Sequence, residues 1–128
     1  MGFQTNFRKV EGLGSSKEGT HHWWMQRLSA VALLPLSLLF VYTFIPTLGS
    51  GYQNFIETYS NLGNAVVAIL FLIVAFFHLR LGLQVVIEDY VHAKTWKVIF
   101  IVSNSLFCWG LMIVGVISIA RIAFGFVG

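Results

Sequence analysis

An all-α membrane protein with three transmembrane helices is the fold class this sequence predicts, from its composition, the placement of its charges and its turn residues. Of 128 residues, 57% are hydrophobic and only 10% are charged, where an ordinary soluble domain carries roughly 25% charged residues. A water-soluble enzyme is excluded, because too few ions are present to wet a surface of this size. The length allows one domain. A net charge of +3 on so apolar a chain points to a membrane surface and not to nucleic acid. The single cysteine, Cys108, supports neither a disulfide framework nor a metal cluster, and reads as a small core residue.

The first 20 residues are polar, contain glycines and lack a hydrophobic run, so they are expected to form a cytoplasmic tail and not a cleavable signal. Asn6 stands where myristoylation needs Ser or Thr, so no lipid anchor is expected. Residues 21–128 then form a membrane-anchor domain. No Asp, Glu, Lys or Arg lies between Arg27 and Glu57, between Glu57 and Arg80, or between Lys97 and Arg121. A hydrocarbon core of roughly 30 Å needs about 20 such residues in a helix. The first helix is placed at residues 27–45, ended by the turn residues Pro46-Thr47-Leu48-Gly49-Ser50-Gly51. Pro35 should kink it. The second helix is placed at residues 62–88 and the third at residues 95–124.

Orientation follows the basic residues near helix ends. Arg8, Lys9, Lys17 and Arg27 precede or open the first helix, and Lys94 and Lys97 follow the second. The first connection has no Lys or Arg. The N-terminus is therefore expected in the cytoplasm and the C-terminus outside. His21, His22, Trp23, Trp24 and Arg27 fall at the inner interface, with Tyr52, Glu57 and Tyr59 at the outer one, where amphipathic rings suit the boundary.

Function must come from polar groups that the bilayer penalises. His78 is twelve residues before Tyr90, roughly 18 Å deep along a helix. Two readings stand: a histidine that bonds a carbonyl of a neighbouring helix, or a proton-relay member or axial haem ligand, since a neutral imidazole has one nitrogen free to accept. Gly82 lies one turn on, where a glycine admits either a flat macrocycle or a close helix neighbour. Asp89 lies about 20° off the face of His78, at the cytoplasmic exit. Arg80 points elsewhere and is left to pair or snorkel. No second histidine is intramembrane, so a six-coordinate haem requires a ligand from another chain. Glu88-Asp89-Tyr90 ends the helix at the water boundary. It reads either as an interfacial belt with solvated carboxylates, or as a phenol donor and proton-carrying acid suited to a quinone carbonyl. Arg27, with His21 and His22, reads either as positive-inside anchoring or as a partner for haem propionates.

The run His78-Leu79-Arg80-Leu81-Gly82-Leu83-Gln84-Val85-Val86-Ile87-Glu88-Asp89-Tyr90-Val91 resembles the H-x3-G-x-x-Q-V-x-x-D-Y-V segment of the small cytochrome b membrane-anchor subunit of succinate dehydrogenase (respiratory complex II), with Gln84 one position nearer the glycine than in that segment. The segment His21-His22-Trp23-Trp24-Met25-Gln26-Arg27 is similar to that family's entry into its first helix. The resemblance implies that His78 is an axial iron ligand of a b-type haem shared with a larger cytochrome b anchor subunit. It further implies that Tyr90 hydrogen-bonds ubiquinone beside Asp89, and that Arg27 with His21 or His22 lies near the propionates. The chain would pack with that second anchor into one helical bundle, while FAD and iron–sulfur clusters belong to partner flavoprotein and iron–sulfur subunits. Arg80 and the double Trp are not defining features of the family.

The function expected is that of an anchor subunit of succinate:ubiquinone oxidoreductase, not catalytic alone. The rivals are an anchor of a related fumarate reductase or other haem-b complex, and a non-redox structural or small transport subunit in which His78, Arg80 and Asp89 form a polar packing network. Glu11 and Glu18 argue against a mitochondrial presequence, so a bacterial cytoplasmic membrane is expected, with a periplasmic C-terminus.

Overall fold

The computed structural model describes the backbone of residues 2–126 and the side chains of residues 19–126. In chain order it contains α1 (Gly2–Phe44), a short 3-10 turn (Ile45–Thr47), α2 (Tyr52–Ser60), α3 (Leu62–Tyr90) and α4 (Lys94–Ala123). No strand occurs among the described residues. The stretches long and apolar enough to cross a membrane are Gly19–Thr47, Leu62–Tyr90 and Lys94–Ala123. This is the all-α, three-span architecture expected. At 29, 29 and 30 residues and 1.5 Å per residue, each exceeds a core of roughly 30 Å, so its ends reach the interfacial layers.

Three boundaries differ from the sequence reading. The helix containing the first span begins well before residue 27, with α1 continuous from Gly2. Trp23, Trp24, Met25 and Leu28 extend its apolar stretch toward the N-terminus, and α1 continues through Pro35. The side chains of Arg8, Lys9, Glu11, Lys17 and Glu18 lie outside the described residues. The second helix runs two residues beyond 88 and so includes Asp89 and Tyr90. The connection expected as a turn contains a helix of its own, α2.

Gly49 and Gly51 make that connection possible, with φ of 76° and 94°, a region that side-chain-bearing residues rarely adopt. Their turns set α2 against α3 and α4. Tyr59 of α2 is completely buried, and its hydroxyl lies 3.1 Å from Thr43 Oγ1. Thr43 donates its own hydrogen to the Phe40 carbonyl at 2.9 Å, so Tyr59 is the donor to Thr43. The ring meets Phe55 at 5.0 Å and Phe40 at 6.4 Å, and Phe40 stacks on Phe71 at 4.5 Å. Tyr59 is thus a core residue and not part of an outer aromatic belt. Its hydroxyl finds a protein partner where the sequence reading gave it water. Tyr52, by contrast, is exposed.

Helix α3 is central, packing against both α1 and α4. Small residues permit this: Ala65 and Ala68 are buried on α3 and Cys108 on α4, as close helix approach in lipid favours. At Gly115 of α4, an added Cβ would lie 3.0 Å from Leu72 Cδ1. At the far end of α3, Asn61 caps the helix by accepting from the Asn64 amide at 3.2 Å.

Candidate functional site

Helices α1 and α3 bring their polar residues together on facing stripes. On α1, positions 22, 26 and 29 recur at helical spacing and share one face. On α3, His78 and Gly82 do the same. Across this seam, Ser29 Oγ lies 2.9 Å from His78 Nδ1. The Ser29 hydroxyl also donates to the Gln26 carbonyl at 2.9 Å. Ser29 is buried and His78 is half-buried. An added Cβ at Gly82 would meet Gln26 Nε2 at 3.5 Å, an ordinary contact. Gly82 therefore faces the Gln26 side chain across the seam.

Toward the N-terminal side of the same seam, His21, His22, Met25, Phe77, Arg80, Leu81 and Gln84 line an open groove of about 430 Å³. Within this region His22 Nε2, Gln26 Oε1 and Arg80 Nε are buried without a hydrogen-bond partner. Such atoms are costly in a low-dielectric interior. Arg80 is held over the rings of Phe77 and Trp109, at 5.4 and 5.8 Å from their centroids, an attraction of cation and ring quadrupole. Its backbone carbonyl accepts from Asn104 Nδ2 at 3.0 Å. Arg80 therefore sits between α3 and α4 while lining the groove beside His21 and His22.

Arg27 is not brought to this seam. It lies about 200° round α1 from Ser29, is exposed, and stacks on the Trp23 ring at 5.1 Å. Trp23 in turn meets Trp24 edge-on at 5.1 Å. Asp89 and Tyr90 form a separate cluster at the end of α3, both exposed, with Tyr90 79% accessible. Glu88 beside them accepts from Gln84 Nε2 at 3.1 Å. No group of three or more His, Cys, Asp or Glu suited to a metal ion occurs among the described residues.

Sequence reasoning missed Ser29 and Gln26. Their spacing of three marks a shared helix face, but which α3 residue faces them depends on how two helices are rotated about their axes. It also set Arg80 apart from the histidines, which the groove brings together.

The chain matches the family described as "Succinate dehydrogenase/Fumarate reductase transmembrane subunit" over residues 1–121. A succinate dehydrogenase hydrophobic membrane anchor subunit of Paracoccus denitrificans is 33% identical over 125 residues, covering 98% of this chain and 96% of that one. The subunit of the same name from Rickettsia bellii is 31% identical over 105 residues, covering 82% and 84%. The succinate dehydrogenase membrane anchor subunit of Reclinomonas americana is 28% identical over 89 residues, covering 67% and 74%. No solved structure matches the chain significantly.

Proposed function

We infer the function of this chain from its family: it belongs to the succinate dehydrogenase/fumarate reductase transmembrane subunits and is a membrane-anchor subunit of succinate dehydrogenase, not a complete enzyme. The finer reading is that it contributes one axial ligand of a b-type haem and part of the site where ubiquinone is reduced. The observation that carries it is His78, a half-buried histidine inside a membrane span whose Nδ1 is engaged by Ser29 and whose Nε2 has no partner among the described residues. An intramembrane histidine with one nitrogen anchored and the other free is the donor a haem iron requires. The unpartnered His22 Nε2 and the basic groove of His21, His22 and Arg80 also suit an anionic group such as a propionate. Arg27, exposed and stacked on Trp23 away from the seam, is not part of that set.

When bound, haem b supplies one-electron redox chemistry within the membrane. The chain's own residues bind and orient. His78 would hold the iron from this chain, and a second histidine would have to come from a larger anchor subunit, since no other histidine of this chain lies in the interior of a span. At the α3 terminus, the Tyr90 phenol donates a hydrogen bond to a quinone carbonyl, a bond that strengthens as the oxygen gains negative charge. Asp89, exposed beside it, passes protons from water. Reduction of one quinone to quinol takes two electrons and two protons. The electrons come from the flavoprotein and iron–sulfur subunits, and the protons enter at this exposed end.

The reading places the chain in a bacterial cytoplasmic membrane, with its N-terminus on the side of the soluble subunits. His78→Ala in the assembled complex tests it. The expected outcome is loss of the b-haem absorption bands at unchanged flavin content, and an unaltered spectrum would remove His78 as a ligand.

A further inference from the structure

We propose that Ser29 is a positioning residue for His78, which locks the imidazole in the Nδ1–H tautomer and thereby presents Nε2 as the metal-binding nitrogen. The inference rests on the haem reading above and adds to it a residue outside the fourteen-residue segment at 78–91. A serine hydroxyl has a single hydrogen, and that of Ser29 is directed to the Gln26 carbonyl at 2.9 Å. Only lone pairs are then left toward His78 Nδ1, also at 2.9 Å. Two acceptors would repel at that distance, so Nδ1 carries the hydrogen and donates it. In a neutral imidazole the other nitrogen is then the acceptor.

Ser29 is only 6% exposed, so water does not replace its oxygen. The hydrogen bond spans α1 and α3, which fixes the plane of the ring as well as its tautomer. The chain from His78 through Ser29 to the Gln26 carbonyl aligns its dipoles and makes the imidazole a stronger electron donor. Removing the hydroxyl would leave the Nδ1–H without an acceptor in a buried site. The ring would then lose its tautomer preference, and the donor strength of Nε2 would fall.

The test compares Ser29→Ala, Ser29→Cys and Ser29→Thr with His78→Ala in the purified four-subunit complex. It reads haem retained per flavin, the haem midpoint potential and the electron paramagnetic resonance signal of the ferric haem. Ser29→Ala and Ser29→Cys are expected to weaken haem retention about 10–100-fold, to raise the midpoint potential and to shift the ferric signal. Ser29→Thr keeps the hydroxyl and is expected to behave as the wild type. Cysteine nearly keeps the volume, so it reports on the hydrogen bond even if the alanine variant does not assemble. Wild-type potential and signal in Ser29→Cys, with haem lost in His78→Ala, would overturn the role of Ser29 alone. Haem retained unchanged in His78→Ala would overturn the ligation and this inference with it.

Discussion

At residue scale, the tyrosines at the ends of the spans divide by what satisfies them. Tyr59 is satisfied within the chain: it is fully buried and donates to Thr43. Hydrogen bonds between membrane helices average about 0.6 kcal/mol, so Tyr59→Phe should lower stability by about that amount, as measured by chemical denaturation of the complex in detergent, with quinone reduction unchanged. Tyr90 is the opposite case, an exposed side chain at the end of its helix with little packing to lose. Tyr90→Phe should leave stability within about 0.5 kcal/mol of wild type while slowing quinone reduction about 10²-fold, the usual cost of removing one transition-state hydrogen-bond donor. Steady-state quinone reductase assays alongside melting curves separate the two tyrosines. The sequence placed both at a water boundary, on opposite sides, and gave no sign that one of them is buried. Burial of Tyr59 depends on α2 folding back against α3 and α4.

At element scale, each long helix was legible because a run without charges and of sufficient length has few alternatives. The boundaries at 62 and near 94 follow from Asn61 as a cap and from the polar segment after Tyr90. Helix α2 was not legible: nine residues of mixed polarity with two tyrosines resemble a loop, and only its packing against α3 and α4 stabilises it. The α3–α4 seam is set by Gly115, where a Cβ would come within 3.0 Å of Leu72 Cδ1. Gly115→Val should overpack the seam and cost about 1–3 kcal/mol. Adding Leu72→Ala should recover part of that loss, because the methyl that clashes is then gone. Thermal unfolding of the two variants checks the coupling, and strict additivity would contradict it.

For the molecule as a whole, most large apolar side chains face outward, among them Leu34, Leu38, Leu106 and Phe107. Three helices with α3 in the centre cannot bury such faces, which are left to lipid or to other protein. The odd number of spans separates the termini. An alkaline phosphatase fused to the C-terminus should be active in intact bacterial cells, and the same enzyme fused to the N-terminus inactive. Activity at both ends or at neither would contradict three spans with a cytoplasmic N-terminus.

The number of spans was readable from the chain alone, because desolvating a charge in lipid is costly enough to dictate where charges cannot lie. The same cost singled out His78 as the intramembrane histidine to watch. Which groups meet across the helices was a different matter. The pairing of Ser29 with His78, the contact of Gly82 with Gln26, the turning of Arg27 toward Trp23 and the gathering of Arg80 with His21 and His22 all depend on helix rotation. Rotation is set by the fit of many small contacts such as Ala65, Ala68 and Gly115. Hydropathy is nearly the same on every side of these helices, so it carries little record of that fit.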